Sequence, residues 1–153
     1  MFKGTVLSIH ITPSAAGRMV SVKEVRAVPG KGLDGDRYFH QLGTFSTTPG
    51  SGREVTLISI EALEAIKRDY GIAIDAGDSR RNIVTRGVPL DHLVGREFTV
   101  GSVSLRGMRL CEPCGHLEKL TQEGVRAGLV HRAGLRAHIL TEGIIRPGDP
   151  VEA

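Results

Sequence analysis

The two cysteines of this sequence lie close together in the run C-E-P-C-G-H at residues 111–116. The thiolate is the reactive form of cysteine, and nearby positive charge or a helix N-terminus favours it. The run follows a predicted strand and precedes a weak helical pattern, which places Cys114 near a helix N-terminus, with Arg109 and His116 close in sequence. A thiolate there can act as a nucleophile, a sulfur carrier or a ligand for a soft metal.

Other interpretations of the two cysteines stay open on the residues alone. A thioredoxin-like C-x-x-C opens a helix inside a βαβ unit, and that context is poor here. A structural zinc site needs four ligands, whereas Cys111, Cys114 and His116 supply three at best. His131 and His138 are distant in sequence. Two buried, inert cysteines are the remaining alternative.

A second candidate is Arg80-Arg81-Asn82, at the entry to a predicted strand. Adjacent residues of a strand point to opposite faces, so one arginine is expected to face a pocket while the other reaches solvent. The guanidinium fork and the amide suit an oxyanion and the edge of a heterocycle. The alternative is an ordinary solvated strand entry.

Two further segments carry charged residues that can bind an anion. In the segment 32–37, glycines permit a tight backbone, and Asp36 and Arg37 either bind a ligand or pin the loop by hydrogen bonds. Near the C-terminus, Arg136 and His138 either add positive charge to an anion pocket or lie on the outward face of an ordinary strand.

The composition limits the class of protein. The 153 residues, 40% of them hydrophobic and 24% charged, predict one globular domain over 1–153. With 4% aromatic residues, no Trp and a net charge of only +3, we expect no nucleic-acid partner. Short apolar runs and the lack of a signal-peptide pattern predict no membrane association. Two closely spaced cysteines favour the reducing cytoplasm over a disulfide scaffold.

The elements that must position these residues are short. The best helix is 60–70, with Ser59 as N-cap and Gly71 just past its end. Residues 30–52 are predicted as a long loop, and 116–130 are weakly helical. Strands are predicted over 4–12, 19–28, 54–58, 82–85, 96–100, 102–108, 135–141 and 143–152, with a hairpin turn at 101–102 and a turn at 147–149. Many short strands and few helices predict a mixed, predominantly β fold with a barrel-like core, not a Rossmann sheet.

Five segments, taken in order, resemble the MOSC domain, the module named after the C-terminal region of molybdenum cofactor sulfurases. They are G-L-D-G-D-R at 32–37, R-R-N-I-V-T-R-G at 80–87, L-x-G-R-x-F-x-V-G at 93–101, C-E-P-C-G-H-L at 111–117 and G-L-R-A-H-I-L-T-E-G-x-I-R-x-G-D at 134–149. Together they span almost the whole chain, and the resemblance is to the compact, stand-alone members.

The resemblance implies a MOSC-like β-barrel that binds the pterin-based molybdenum cofactor through its phosphate and pterin. It implies that Cys114 is the functional cysteine and the metal ligand, with Cys111 as a second catalytic candidate that resolves or relays sulfur. The cofactor-binding residues that it implies are Asp36, Arg37, Arg80, Arg81, Asn82 and Arg136.

Three functions compete within this resemblance. The first is a molybdenum-dependent oxidoreductase acting on small N-oxygenated compounds, with electrons from a partner protein. The second is a sulfur carrier, in which Cys114 accepts persulfide sulfur from a cysteine desulfurase. The third is a non-catalytic cofactor-binding module, which needs the arginines but no reactive thiol. A homodimer is also expected, since exposed strand edges often pair.

Overall fold

A barrel of seven strands forms the centre of the computed structural model, which describes residues 2–14, 16–39, 54–113 and 115–153. The described residues form eleven strands, of which seven belong to the barrel: β1 (Lys3–Ile11), β2 (Val20–Val22), β3 (Val25–Val28), β4 (Gly32–Leu33), β5 (Val55–Ser59), β6 (Ile83–Arg86), β7 (Glu97–Val100), β8 (Val103–Leu110), β9 (Leu135–Ile139), β10 (Gly143–Ile145) and β11 (Pro150–Glu152). The predicted β-barrel core is therefore confirmed.

The barrel runs in the order β11-β7-β8-β9-β5-β6-β1 and closes because β1 also pairs with β11. Only β5 and β6 are parallel neighbours, and the other pairs in the barrel are antiparallel. Along its length, β1 pairs with three strands, β11, β6 and β2, and it has a bulge between Val6 and Ser8. Strands β10, β3 and β4 form a separate small sheet.

Alternate residues of the barrel strands fill its interior. Ile9, Leu57, Leu105 and Leu135 are each 0% exposed and belong to one apolar cluster. Because strand side chains alternate, the intervening residues of β1, β5 and β9 lie on the outer wall. These outward positions carry some of the polar residues of the candidate site, and the others lie in the loops beside them.

In the described part of the chain, three short helices lie outside the barrel: α1 (Ile60–Tyr70), α2 (Gly115–Leu120) and α3 (Val125–Gly128). The prediction for α1 is confirmed at both ends. The hydroxyl of Ser59 accepts a hydrogen bond from the Ala62 backbone N–H, and Gly71 takes the left-handed conformation with φ +68°. Two 3₁₀ helices, Ala76–Ser79 and Leu90–Leu93, lack an apolar period long enough to be read from sequence.

The structure divides one of the predicted strands. The predicted strand 19–28 is β2 and β3, interrupted at Lys23 and Glu24, because the two halves pair with different sheets. Within the predicted stretch 143–152, β10 and β11 lie on either side of the predicted turn at 147–149, which is confirmed. The predicted loop 30–52 is wrong at β4, which pairs with β3, and its residues from 40 onward lie outside the described part of the chain.

None of the helices in the described ranges is both long enough and apolar enough to span a lipid bilayer.

Candidate functional site

A row of polar residues crosses the outer wall of the barrel at one level. The register pairs Arg109 of β8 with Arg136 of β9, and Arg136 with Thr56 of β5. The row continues through backbone hydrogen bonds from Asn82 N–H to the Thr56 carbonyl at 3.1 Å and from His10 N–H to the Asn82 carbonyl at 2.7 Å. Residues from five regions of the sequence thus become neighbours.

Asn82 fastens three strands together at the middle of this row. Its Oδ1 accepts hydrogen bonds from the Thr56 backbone N–H at 3.0 Å and the Thr56 hydroxyl at 3.1 Å. Its Nδ2 donates to the His10 carbonyl at 3.1 Å. The side chain is fully buried, so most of its hydrogen-bonding capacity is used inside the fold.

Asp36 holds the loop after β4 in place and orients Arg37. One carboxylate oxygen of Asp36 accepts from the Thr12 backbone N–H at 3.1 Å and from Nη1 of Arg37 at 3.2 Å. The other accepts from the Tyr38 backbone N–H at 3.4 Å. The ion pair is buried, and the guanidinium of Arg37 lies 4.5 Å from the centre of the Tyr38 ring.

Arg80 lies outside strand β6, in the left-handed conformation with φ +65°, where it caps the 3₁₀ helix Ala76–Ser79. Its Nη1 donates to the Gly17 carbonyl, and its own carbonyl accepts from Nη2 of Arg37 at 3.3 Å. The expectation that strand alternation separates Arg80 from Arg81 is therefore wrong, because the backbone at Arg80 is not extended. Both side chains are at least partly buried.

Arg81 connects the cysteine-bearing segment, residues 111–116, to the residues just before β9. Its Nε donates to the Ala133 carbonyl at 2.8 Å, and its Nη2 donates to the Cys111 carbonyl at 3.1 Å. Arg81 is 8% exposed, and Cys111, a free thiol, is 1% exposed. The arginine thus fixes the backbone three residues before Cys114.

These three arginines, Arg37, Arg80 and Arg81, form what we call the arginine cluster. Burial lowers the pKa of Arg80, and the positive charges of Arg37 and Arg81 lower it further, against partial compensation from Tyr38 and Asp36. Within the described ranges, no carboxylate forms an ion pair with Arg80 or Arg81, whose acceptors are neutral carbonyls. The cluster therefore keeps a net positive charge in a partly desolvated place, where an anion is favoured.

His10 and Thr56 belong to this region although the sequence did not single them out. The imidazole of His10 is 8% exposed and its Nε2 lies 2.8 Å from the Ser8 hydroxyl. Burial lowers the pKa of His10, opposed by the charge of Asp78. The one signal available in the sequence was a polar residue at an otherwise apolar strand position, such as Thr56 in E-V-T-L-I.

The structure brings together most of the predicted residues, but not all can be described. Hydrogen bonds connect Asp36, Arg37 and Arg80, while Arg81 and Asn82 follow Arg80 directly in the chain and contact other elements. Arg136 joins the row next to Thr56 and is half-buried. Cys114 lies outside the described residues. Within 2–14, 16–39, 54–113 and 115–153, no three His, Cys, Asp or Glu side chains gather as a metal site would require.

The comparisons with known proteins agree with this fold. The family model for the MOSC domain matches residues 35–152, and the chain therefore belongs to the MOSC domain family. Among solved structures, the chain is similar to the YuaD protein from Bacillus subtilis, with a TM-score of 0.78 and 15% identity over 99% of this chain and 97% of that one. At such identity the likeness concerns the fold.

Two YiiM proteins are similar as well. The one from Geobacillus stearothermophilus has a TM-score of 0.74 and 16% identity, over 97% of this chain and 74% of its own. The one from Escherichia coli has a TM-score of 0.69 and 15% identity, over 97% and 68%. The search of curated proteins found no match.

Proposed function

We propose that this MOSC-family protein binds the pterin-based molybdenum cofactor and uses it as an oxidoreductase on small N-oxygenated compounds. One observation carries the proposal: Arg37, Arg80 and Arg81 are close in space and at least partly buried, and among the described residues Asp36 is the single carboxylate in the cluster, paired with Arg37. An uncompensated charge of this kind is costly unless an anion joins it. The phosphate of the cofactor is such an anion.

The residues of the site fit the cofactor in two different ways. The arginine cluster holds the phosphate, because a planar fork can form paired, charge-assisted hydrogen bonds with its oxygens. Asp36 and Asn82 support this indirectly, since Asp36 orients Arg37 and Asn82 fixes the strands from which the arginines project. Arg136 adds positive charge at the next position of the row.

Cys114 supplies the thiolate ligand for molybdenum, which suits a soft donor better than a carboxylate does. When bound, the cofactor supplies a metal centre that exchanges electrons with a substrate. The chain's own part is to bind the phosphate and to hold the cysteine-bearing segment through Arg81. An electron-donor protein is the partner that this reaction requires.

The test is the molybdenum and pterin content of protein purified without air from a host that makes the cofactor. We compare the wild type with Cys114→Ser, Arg80→Met and Arg80→Lys, with Arg106→Met as the matched control. Arg106 is an exposed arginine on β8 outside the cluster. Losing one charge-assisted contact of about 1.5–3 kcal/mol weakens binding roughly tenfold to a hundredfold.

The expected result is near-stoichiometric molybdenum and pterin in the wild type and in Arg106→Met. Both are lost in Arg80→Met, and Arg80→Lys retains an intermediate amount because it keeps the charge without the fork. Molybdenum is also lost in Cys114→Ser. A cofactor content that survives Cys114→Ser instead indicates a non-catalytic binding module. Wild-type protein without molybdenum, but with a persulfide on Cys114 by mass spectrometry, indicates a sulfur carrier.

A further inference from the structure

Glu112, inside the cysteine-bearing segment, is held by His131 at two points. Its Oε1 accepts a hydrogen bond from the His131 backbone N–H at 2.7 Å, and its Oε2 lies 2.8 Å from the ring Nδ1. An ionised carboxylate only accepts, so Nδ1 is the protonated nitrogen. We call this pair of contacts the Glu112–His131 clamp.

The backbone at His131 is in an unfavourable conformation. Its φ is +64°, in the left-handed region that non-glycine residues rarely occupy. The pair is solvent-exposed, with the His131 side chain 79% and the Glu112 side chain 45% exposed. Ion pairs this exposed stabilise a fold very little. A strained residue with little stabilising effect suggests that the contact has another use.

The clamp is the outermost of several connections between residues 111–112 and residues 131–134. Next to it, the Cys111 backbone N–H donates to the Gly134 carbonyl at 2.7 Å. On the buried side, Arg81 bridges the carbonyls of Cys111 and Ala133. The segment is therefore held on its buried side by Arg81 and on its solvent side by His131, directly before Pro113 and Cys114.

We propose that His131 is a positioning residue for the functional cysteine. Through the Glu112 carboxylate it fixes the backbone of residues 111–112, which lead through Pro113 into Cys114. This inference rests on the proposed function only in taking Cys114 as the reactive thiol. It adds a role for Glu112 and His131, neither of which belongs to the arginine cluster.

The test is a double-mutant cycle on thiol reactivity in the cofactor-free protein. Alkylation by iodoacetamide is measured at one fixed pH, with Cys111 and Cys114 followed separately by peptide mass spectrometry. The variants are Glu112→Ala, His131→Ala and the double variant. We expect each single variant to change the Cys114 rate about threefold or more. The double variant should match Glu112→Ala, because that substitution already removes both contacts, whereas His131→Ala removes only the ring contact.

Three variants serve as controls. His131→Asn keeps a side-chain donor and tolerates the left-handed backbone, so it restores the Cys114 rate to near the wild-type value. His131→Gly relieves the backbone strain but lacks the ring, so its Cys114 rate matches that of His131→Ala. His92→Ala removes an exposed imidazole on the 3₁₀ helix Leu90–Leu93 and leaves the rate unchanged.

Buried Cys111 reports on general loosening of the fold. The proposal is overturned if the single variants leave the Cys114 rate unchanged, if their effects add in the double variant, or if Cys111 becomes equally reactive. Because no cofactor is present in these measurements, the result is separate from the cofactor test of Cys114→Ser. If Cys114→Ser retained the cofactor, the proposed function would be refuted. The double-mutant cycle could still show that the Glu112–His131 clamp acts on the thiol.

Discussion

The substitution Asn82→Ala tests whether Asn82 stabilises the fold or only contacts a ligand. It removes three hydrogen bonds, two to Thr56 and one to His10. Two buried backbone groups, the Thr56 N–H and the His10 carbonyl, lose their side-chain partner. At about 1–3 kcal/mol for each unsatisfied group, the free energy of unfolding should fall by roughly 3 kcal/mol, or about 6–12 °C in Tm for a domain of this size.

The assay is equilibrium urea unfolding of the cofactor-free protein, with Tm as a second measure. Gln122→Ala is the matched control, because it removes an exposed amide between α2 and α3 and should change stability by less than about 0.5 kcal/mol. Thr56→Val in the Asn82→Ala background should cost only about 1 kcal/mol more. Of the two contacts of the Thr56 hydroxyl with residue 82, the one to the side chain is already lost, and only the one from the backbone N–H at 3.0 Å is left. If the free energy of unfolding fell by less than about 1 kcal/mol at an unchanged m-value, the structural role of Asn82 would be refuted. Direct ligand binding would then be the better explanation of its presence in the site.

Three further substitutions test the packing and protonation around the barrel. The buried Thr85 hydroxyl has no hydrogen-bond partner among the residues that the structure describes, so Thr85→Val should raise the free energy of unfolding by about 1 kcal/mol. Gly134→Ala should cost more than about 3 kcal/mol, because φ is +109° and a Cβ would lie 2.0 Å from the Leu57 carbonyl oxygen. Burial lowers the pKa of His10 below 6.5, so stability is fully present above that pH and declines as the pH falls through it. His10→Gln should flatten this decline in urea unfolding measured between about pH 5 and 7.5.

Each of these three substitutions has a matched control for which a different result is expected. Thr121→Val removes a hydroxyl that donates to the Leu117 carbonyl at 2.7 Å, and should destabilise the protein. Gly30→Ala has a similar φ, +78°, but open space around it, and should cost only about 1 kcal/mol. His92→Gln should leave the pH dependence unchanged. The same response in a variant and its control would contradict the corresponding argument.

Local elements of the fold could be predicted because their signals lie within a few residues. Helix α1 has its N-cap at Ser59, an apolar face, and a left-handed glycine at its end, all within one stretch. The hairpin between β7 and β8 turns at Gly101, whose φ is +60°. The predicted strand 19–28 was wrong as a single element because periodicity does not show which sheet each half joins.

The sequence also determined which residue types are available for the site: the arginine pair before β6, the Asp36-Arg37 loop and the two cysteines. What each residue does was decided by tertiary structure. Asn82 faces Thr56 and His10 because the register of β5, β6 and β1 brings them together. Arg80 and Arg81 join one cluster because a 3₁₀ helix ends in a left-handed residue there. Hydrogen bonds and charge effects act over a few ångströms in space, and residues 10, 56 and 82 become neighbours only when the barrel closes.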